Sequence, residues 1–134
     1  MSRGQTSKLD VLRKVPLFAS CTDAELGEIA LAADEFALPA GAELTKQGAV
    51  GREFVIVMDG DVEVHRDGEK VDAASGHNFY GEMALLHGEP RNATVMTASS
   101  VRALVLTHAA FHRLLESSPE LAAKIERTAA ERSS

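Results

Sequence analysis

Hydrophobic residues recur at two different spacings along this chain, and the changes of spacing divide it into helical and strand-forming parts. Residues 6–32 carry apolar side chains such as Leu9 and Leu12 at helical intervals. In residues 36–107 apolar and polar residues instead alternate, which is typical of half-buried strands. Residues 108–131 return to the helical interval. We therefore expect helices at both ends of a region of strands.

Glycine-containing turns divide the central region into short strands. Asp59-Gly60 joins two of them, and Asp67-Gly68 between alternating apolar residues predicts a hairpin. The pattern predicts an α+β fold, an antiparallel β-roll or jelly-roll barrel of about eight strands with N- and C-terminal flanking helices. At 134 residues, the chain is expected to form one domain, residues 1–134.

Particular residues indicate where two of the helices begin. Thr22 is followed three residues later by Glu25, the pattern of a capping box. Pro119 suits the first turn of the last helix. In that helix Leu121 and Ile125 form an apolar stripe, which Thr128 extends.

The composition excludes several classes of protein. The formal net charge is −6, whereas contacts to nucleic-acid phosphates need clustered Lys and Arg. No apolar run is long enough to span a membrane, and residues 1–10 lack the apolar core of a secretory signal. The single cysteine, Cys21, fits a reducing compartment. We therefore expect a cytoplasmic protein that contacts neither DNA nor a membrane.

The sequence contains no recognisable set of catalytic or metal-binding side chains. Its five histidines are scattered and are interpreted as surface or core residues. A metalloenzyme on a similar barrel would need a close His-x-His pair with a nearby carboxylate, and that spacing is absent. We therefore expect no enzyme activity, no metal and no cofactor.

One segment departs from the strand pattern and combines groups suited to a phosphorylated sugar. Residues 79–95 read FYGEMALLHGEPRNATV. Gly81 permits a close approach that a side chain would block, and N–H groups at the start of a short helical turn attract anions. The planar guanidinium of Arg91 can bond two phosphate oxygens, while Glu82 suits a ribose hydroxyl donor. A simpler interpretation is a surface ion pair between Glu82 and Arg91 that only stiffens the loop.

The 79–95 segment closely resembles the phosphate-binding cassette of cyclic nucleotide-binding domains. The resemblance lies in the runs GEMALL and PRNATV, and it extends over residues 9–118 through the order of the glycines. That family includes regulatory subunits of cAMP-dependent protein kinase, cyclic-nucleotide-gated channels and the bacterial catabolite activator protein. A cyclic nucleotide is therefore the ligand that the resemblance implies.

The resemblance implies a role for each main group of the segment. Arg91 would pair with the exocyclic phosphate oxygens, and Glu82 would accept the ribose 2′-hydroxyl. The main-chain N–H groups of Gly81, Ala84 and Leu85 would line the sugar and the phosphate.

The remaining site residues concern the base and the ligand preference. Ala93 would offer a further N–H near the phosphate, Met83 lies in the same segment, and Val62 and Val64 would contribute to the base pocket. Most members have Ala, Thr or Ser where this chain has Asn92. A hydroxyl there often favours cGMP, and Asn92 has none, so the resemblance favours cAMP over cGMP.

The resemblance also implies a regulatory output through a protein effector. A bound ligand would favour one arrangement of the phosphate loop and the C-terminal helix. Leu121 and Ile125 would either cover the base as a lid or stay packed on the roll. The alternative function is a degenerate member that lost its ligand and serves as a protein interaction module. Only 20 residues follow Leu114, too few for a DNA-binding domain, so we expect a stand-alone sensor or a piece of a longer protein.

Overall fold

The computed structural model of the 134-residue chain describes residues 7–81, 85–86 and 89–133. Its helical elements are α1 (Lys8–Arg13), a 3₁₀ turn (Pro16–Phe18), α2 (Asp23–Ala32), α3 (His108–Ser117) and α4 (Pro119–Ser133). The strands are β1 (Asp34–Leu38), β2 (Glu43–Thr45), β3 (Val50–Gly51), β4 (Glu53–Asp59), β5 (Asp61–Arg66), β6 (Glu69–Ser75), β7 (Asn78–Tyr80), β8 (Glu89–Pro90), β9 (Thr94–Thr97) and β10 (Val101–Thr107). None of the helices in these ranges is long and apolar enough to cross a membrane.

Eight of the strands form two antiparallel sheets of four strands each, which enclose a β-roll. Sheet 1 has the order β1-β10-β4-β7, and sheet 2 has the order β2-β9-β5-β6. The two-residue strands β3 and β8 pair separately with each other. The predicted α+β fold class is therefore confirmed. The first strand begins at Asp34 rather than at Phe36, because residues 34 and 35 already pair with β10.

The two Asp-Gly pairs make different connections. Asp67 and Gly68 have positive φ angles of 55° and 83° and close the predicted hairpin between β5 and β6. Gly60, with φ of 110°, carries the chain from β4 in sheet 1 to β5 in sheet 2. A Cβ at Gly60 would collide with the carbonyl oxygen of Ser100, so glycine is needed where the chain changes sheets.

Sheet 1 separates two hydrophobic cores, and its middle strands β4 and β10 are buried on both faces. Its outer face packs on the helices and forms the first core, which consists of Val11, Leu12, Val15, Leu17, Phe18, Leu26, Ile29, Ala33, Phe54, Ile56, Met58, Leu85, Leu104, Leu106, Phe111, Leu121 and Ile125. Its inner face meets sheet 2 inside the roll and forms the second core, which consists of Val55, Val57, Val62, Val95, Val101 and Ala103. Successive residues of β4 and β10 therefore serve different cores.

The last helix, α4, is docked on the first core. Leu121 and Ile125 are fully buried there, and Thr128 is also buried, so the predicted apolar stripe is confirmed. The stripe lies on the helical side of sheet 1 and belongs to the first core, whereas the roll interior belongs to the second. In this arrangement Leu121 and Ile125 do not cover the roll interior.

Glu25 joins the start of α2 to α4. Its N–H donates to the Thr22 hydroxyl at 3.2 Å, and its Oε1 accepts from the Thr22 N–H at 2.9 Å, so the predicted capping box is present. The same Oε1 accepts from Lys124 Nζ at 2.7 Å. The hydrogen bond from Lys124, followed by that from Thr22, holds the pKa of Glu25 below its ordinary value.

Two leucines on α2 provide a test of this helix placement. Leu26 is 2% exposed in the first core, so Leu26→Ala should lower the free energy of unfolding by about 2–5 kcal/mol. Leu31 is 88% exposed, so the control Leu31→Ala should change it by less than about 0.5 kcal/mol. Urea unfolding followed by circular dichroism measures both, and equal losses would contradict this orientation of α2.

Candidate functional site

Arg91 is held at its main chain by the turn that precedes β3. It follows directly after Pro90 of β8, which pairs with Val50 of β3. The Arg91 N–H donates to the carbonyl of Ala49 at 2.8 Å, and its own carbonyl accepts from Gly48 N–H at 2.8 Å. This pair of hydrogen bonds fixes where the Arg91 side chain leaves the backbone.

The guanidinium of Arg91 occupies space that two glycines leave open. A Cβ placed on either Gly51 or Gly81 would overlap the guanidinium atoms. Gly81 also has a φ of 81°, in the left-handed region that side chains disfavour. Nη2 of Arg91 donates to the main-chain carbonyl of Glu53. The guanidinium is therefore directed back to Gly81, as the sequence predicts.

The charge of Arg91 is partly removed from water. The side chain is half-buried, and this burial lowers the pKa of Arg91 below its ordinary value, while the negative charge of Glu53 acts in the opposite direction. An arginine nevertheless stays charged at neutral pH. Because electrostatic attraction increases as the local dielectric falls, a half-buried guanidinium attracts a nearby anion more strongly than an exposed one does.

The loop between Gly81 and Arg91 is described only in part. Leu85 is fully buried in the first core, which ties this loop to the side of sheet 1 that carries the helices. Glu82, Met83 and Ala84 lie outside the described residues, so their roles stay predictions.

The chain that returns from Arg91 into β9 is fixed by hydrogen bonds to sheet 2 and its turns. The carbonyl of exposed Asn92 accepts from Arg66 Nε at 3.1 Å. Ala93 is buried, and its carbonyl accepts from the Thr45 hydroxyl at 3.1 Å. The chain after Arg91 is thus anchored with Asn92 exposed and Ala93 buried.

The interior of the roll supplies an apolar wall beside this loop. Val62 is buried in the second core and Val64 is partly buried against it. Tyr80, the residue before Gly81, also packs against the second core, because it pairs with the inward-facing Val55. The structure thus brings Gly81, Arg91 and the apolar interior to one end of sheet 1.

The sequence did not assign a role to Gly51 or to Tyr80, although both contribute to this arrangement. Gly51 leaves room for the guanidinium of Arg91. The one sequence feature that indicated a role for Gly51 was its place in the order of glycines shared with the resembled family. Tyr80 faces the roll interior, and its position next to Gly81 was the sequence feature that could have indicated a place in the site.

Comparison with known proteins gives matches along most of the chain. The family model for the cyclic nucleotide-binding domain matches residues 35–118. A cyclic nucleotide-gated potassium channel of Rhizobium etli is 42% identical over 118 residues, which are 88% of this chain and 33% of the channel. A cAMP-dependent protein kinase regulatory subunit of Colletotrichum orbiculare is 36% identical over 108 residues, which are 79% of this chain and 28% of that subunit. The chain thus spans a third or less of the length of these two relatives.

A solved structure agrees with these matches over nearly the full chain. The N-terminal domain of a transcriptional regulator from Streptomyces coelicolor A3(2) superposes with a TM-score of 0.83 at 32% sequence identity. The superposition covers 92% of this chain and 90% of that domain. The similarity includes helices, because the strands lie between residues 34 and 107 and a superposition of 92% of the chain must extend beyond them.

The two glycines beside Arg91 should respond differently to substitution. Gly51→Ala meets only the movable end of a side chain, so we expect it to lower the free energy of unfolding by less than about 1 kcal/mol. Gly81→Ala adds a left-handed φ, which should cost about 1–2 kcal/mol more. Denaturant unfolding measures both variants.

The control is to repeat both substitutions in an Arg91→Ala background. There the smaller penalty of Gly51→Ala should disappear, whereas the backbone penalty of Gly81→Ala should persist. If Gly81→Ala were no more destabilising than Gly51→Ala, the left-handed conformation of Gly81 would be wrong.

Proposed function

This chain belongs to the cyclic nucleotide-binding domain family, and we propose that it is a regulatory module that binds a 3′,5′-cyclic nucleotide, cAMP in preference to cGMP. In this proposal the chain binds its ligand without transforming it and communicates with a protein effector. The observation that carries the proposal is the half-buried guanidinium of Arg91, which lies between Gly51 and Gly81 beside the apolar roll interior.

The cyclic phosphate is assigned to Arg91 and the main chain around it. A guanidinium can donate to two phosphate oxygens at once. In this structure Nη2 of Arg91 donates to a neutral acceptor, the main-chain carbonyl of Glu53. A phosphate would offer a charged acceptor instead. The N–H groups of Gly81, Ala84, Leu85 and Ala93 are proposed to complete the phosphate and sugar contacts.

The ribose and the base are assigned to the two sides of this phosphate position. Glu82 is proposed to accept the ribose 2′-hydroxyl, and Met83 follows it in the same loop. Val62 and Val64 face the roll interior and are proposed to form part of the base wall. Asn92 has no hydroxyl to favour guanine, which supports cAMP as the preferred ligand.

We propose that binding shifts the population of two arrangements of the phosphate loop and α4. Leu85 of the loop and Leu121 of α4 belong to the same first core. Aromatic contacts also connect the helices to the strand before Gly81: Phe18 lies 6.1 Å from Phe111 and 6.3 Å from Phe54, and Phe54 lies 6.3 Å from Phe79 between ring centroids. A shift of the loop would therefore alter the packing of α4 on the first core.

The cellular setting is proposed from more general features. The lone Cys21 fits a reducing compartment, so we propose that the module works in the cytoplasm. The net charge of −6 disfavours direct binding to DNA. A protein effector is therefore the proposed recipient of the signal.

Calorimetric titration with cAMP and with cGMP tests the proposed ligand. The purified chain should bind cAMP saturably and more tightly than cGMP. Arg91→Ala should weaken cAMP binding about 30-fold or more, because it removes one partner of a charged hydrogen-bonded pair. Arg113→Ala, which removes an exposed arginine on α3, is the matched control and should leave the affinity unchanged.

The outcomes of this titration separate the candidate functions. Binding that Arg91→Ala leaves intact would overturn the role assigned to Arg91. No heat with either nucleotide, from protein shown to be folded, would favour a ligand-free interaction module. Tighter binding of cGMP would reverse the preference that Asn92 supports.

Amide hydrogen exchange tests the proposed population shift. Saturating cAMP should change the exchange rates in residues 119–131 by at least about fivefold, the lower end of typical coupling between sites. Lys124→Met should accelerate exchange in α4 without nucleotide, because it removes the ion pair to Glu25. Arg127→Met, at an exposed position of the same helix, is the control for losing a long cation. Identical exchange in α4 with and without cAMP would leave α4 as a permanently packed helix.

A further inference from the structure

Strand β6 carries an acidic residue on the face where the roll interior lies. Val62 pairs with Ala74, and Val64 pairs with Asp72, and directly opposite residues of an antiparallel pair share a face of the sheet. Val62 is buried in the second core, with Val64 and Ala74 packed against it. Asp72 is therefore on the inward row of β6, the edge strand of sheet 2, and is itself exposed.

A β-bulge produces this placement. Val64 pairs with Asp72 but the next residue, His65, pairs with Lys70, so Val71 is an extra residue on β6. Bulges redirect side chains relative to the regular alternation. As a result Val71 is 50% exposed, while Asp72 takes the place opposite the inward-facing Val64.

Tyr80 lies close to Asp72 across the gap between the two sheets. β6 and β7 are edge strands of sheets 2 and 1, joined by residues 76–77, and Tyr80 packs against the second core. Burial raises the pKa of Tyr80, and the charge of Asp72 raises it further. The Asp72 carboxylate is thus near enough to act electrostatically on the Tyr80 hydroxyl, one residue before Gly81.

We propose that Asp72 recognises the base of the bound nucleotide by accepting a hydrogen bond from its exocyclic amino group. This inference rests on the proposed function, because it needs a cyclic nucleotide whose phosphate is held at Arg91. An ionised carboxylate is only an acceptor, so it favours a base edge that offers an N–H donor. Tyr80 can donate or accept and supplies the second polar group beside the base.

A purely local role for Asp72 makes a different prediction. Its Oδ1 accepts from the N–H of Ala73 at 2.8 Å, and this bond alone could serve to shape the bulge. Such a role would affect folding and all nucleotides equally. Recognition of an amino group would instead affect only the difference between ligands with and without that group.

The experiment compares ligand pairs that differ by one amino group. Purine riboside 3′,5′-cyclic monophosphate lacks the 6-amino group of cAMP, and inosine 3′,5′-cyclic monophosphate lacks the 2-amino group of cGMP. With the pair whose parent binds more tightly, the wild-type chain should prefer the amino compound by about 3- to 10-fold, as expected for a hydrogen bond to a charged group at a partly exposed site. In Asp72→Ala the ratio should fall to about 1.

The control variant is Asp61→Ala. Asp61 precedes the inward-facing Val62 and pairs with Ser75, so it lies on the outer face of sheet 2. The substitution Asp61→Ala therefore removes the same charge from the same sheet as Asp72→Ala. Its variant should keep the wild-type ratio. Chemical denaturation of both variants shows whether they are folded.

Each outcome either supports or overturns the inference. A wild-type ratio near 1, or a ratio that Asp72→Ala leaves unchanged, would show that Asp72 does not read the amino group even if cAMP binds well. Failure of the folded wild-type chain to bind any of the four nucleotides would overturn the proposed function, and this inference with it. The two failures are therefore distinguishable.

Discussion

The burial of the middle of sheet 1 on both of its faces is the constraint from which the rest of this structure follows. β4 and β10 lie in the middle of that sheet, and their residues alternate between the first and second cores. Along β10, Ala103 belongs to the second core, while Leu104 and Leu106 belong to the first. One strand thus supports helix docking and the roll interior at the same time. A change in the packing on one face of the strand would therefore disturb the packing on its other face.

The candidate site depends on two glycines, which have no side chain, as much as on the side chain of Arg91. Arg91 is directed by two main-chain hydrogen bonds and by the open space at Gly51 and Gly81. The half-buried charge that results is costly unless it is partnered. Its present partner, a carbonyl of Glu53, carries no full charge, which leaves the guanidinium suited to an anion of the right shape.

The sequence was a good guide where local patterns decide the structure. Hydrophobic spacing predicted the helices and the central strands because these have a buried face, and the Thr22–Glu25 capping box was predicted because its bonds span three residues. The direction of Arg91 followed from the need to return to Gly81. The helix and strand patterns and the capping box depend on contacts within a short stretch of sequence, whereas the direction of Arg91 also depends on the distant Gly48, Ala49 and Gly51.

Features that depend on distant pairing could not be predicted in this way. Gly51 makes room for a side chain that lies 40 residues later in the chain. The inward placement of Asp72 depends on a bulge in its pairing with β5, and simple alternation would not reveal it. The docking of Leu121 and Ile125 in the first core also depends on elements nearly a hundred residues away, such as Glu25, which is 99 residues from Lys124.

The shared oxygen of Glu25 gives the helical part of the molecule a cooperative character. Oε1 accepts from Thr22 at the start of α2 and from Lys124 in α4, so one atom belongs both to a helix cap and to a tertiary contact. Movement of α4 would remove the cation that helps to hold this carboxylate in its capping position. Loss of this one contact would therefore weaken the start of α2 and the docking of α4 together, although Glu25 and Lys124 lie 99 residues apart in the chain.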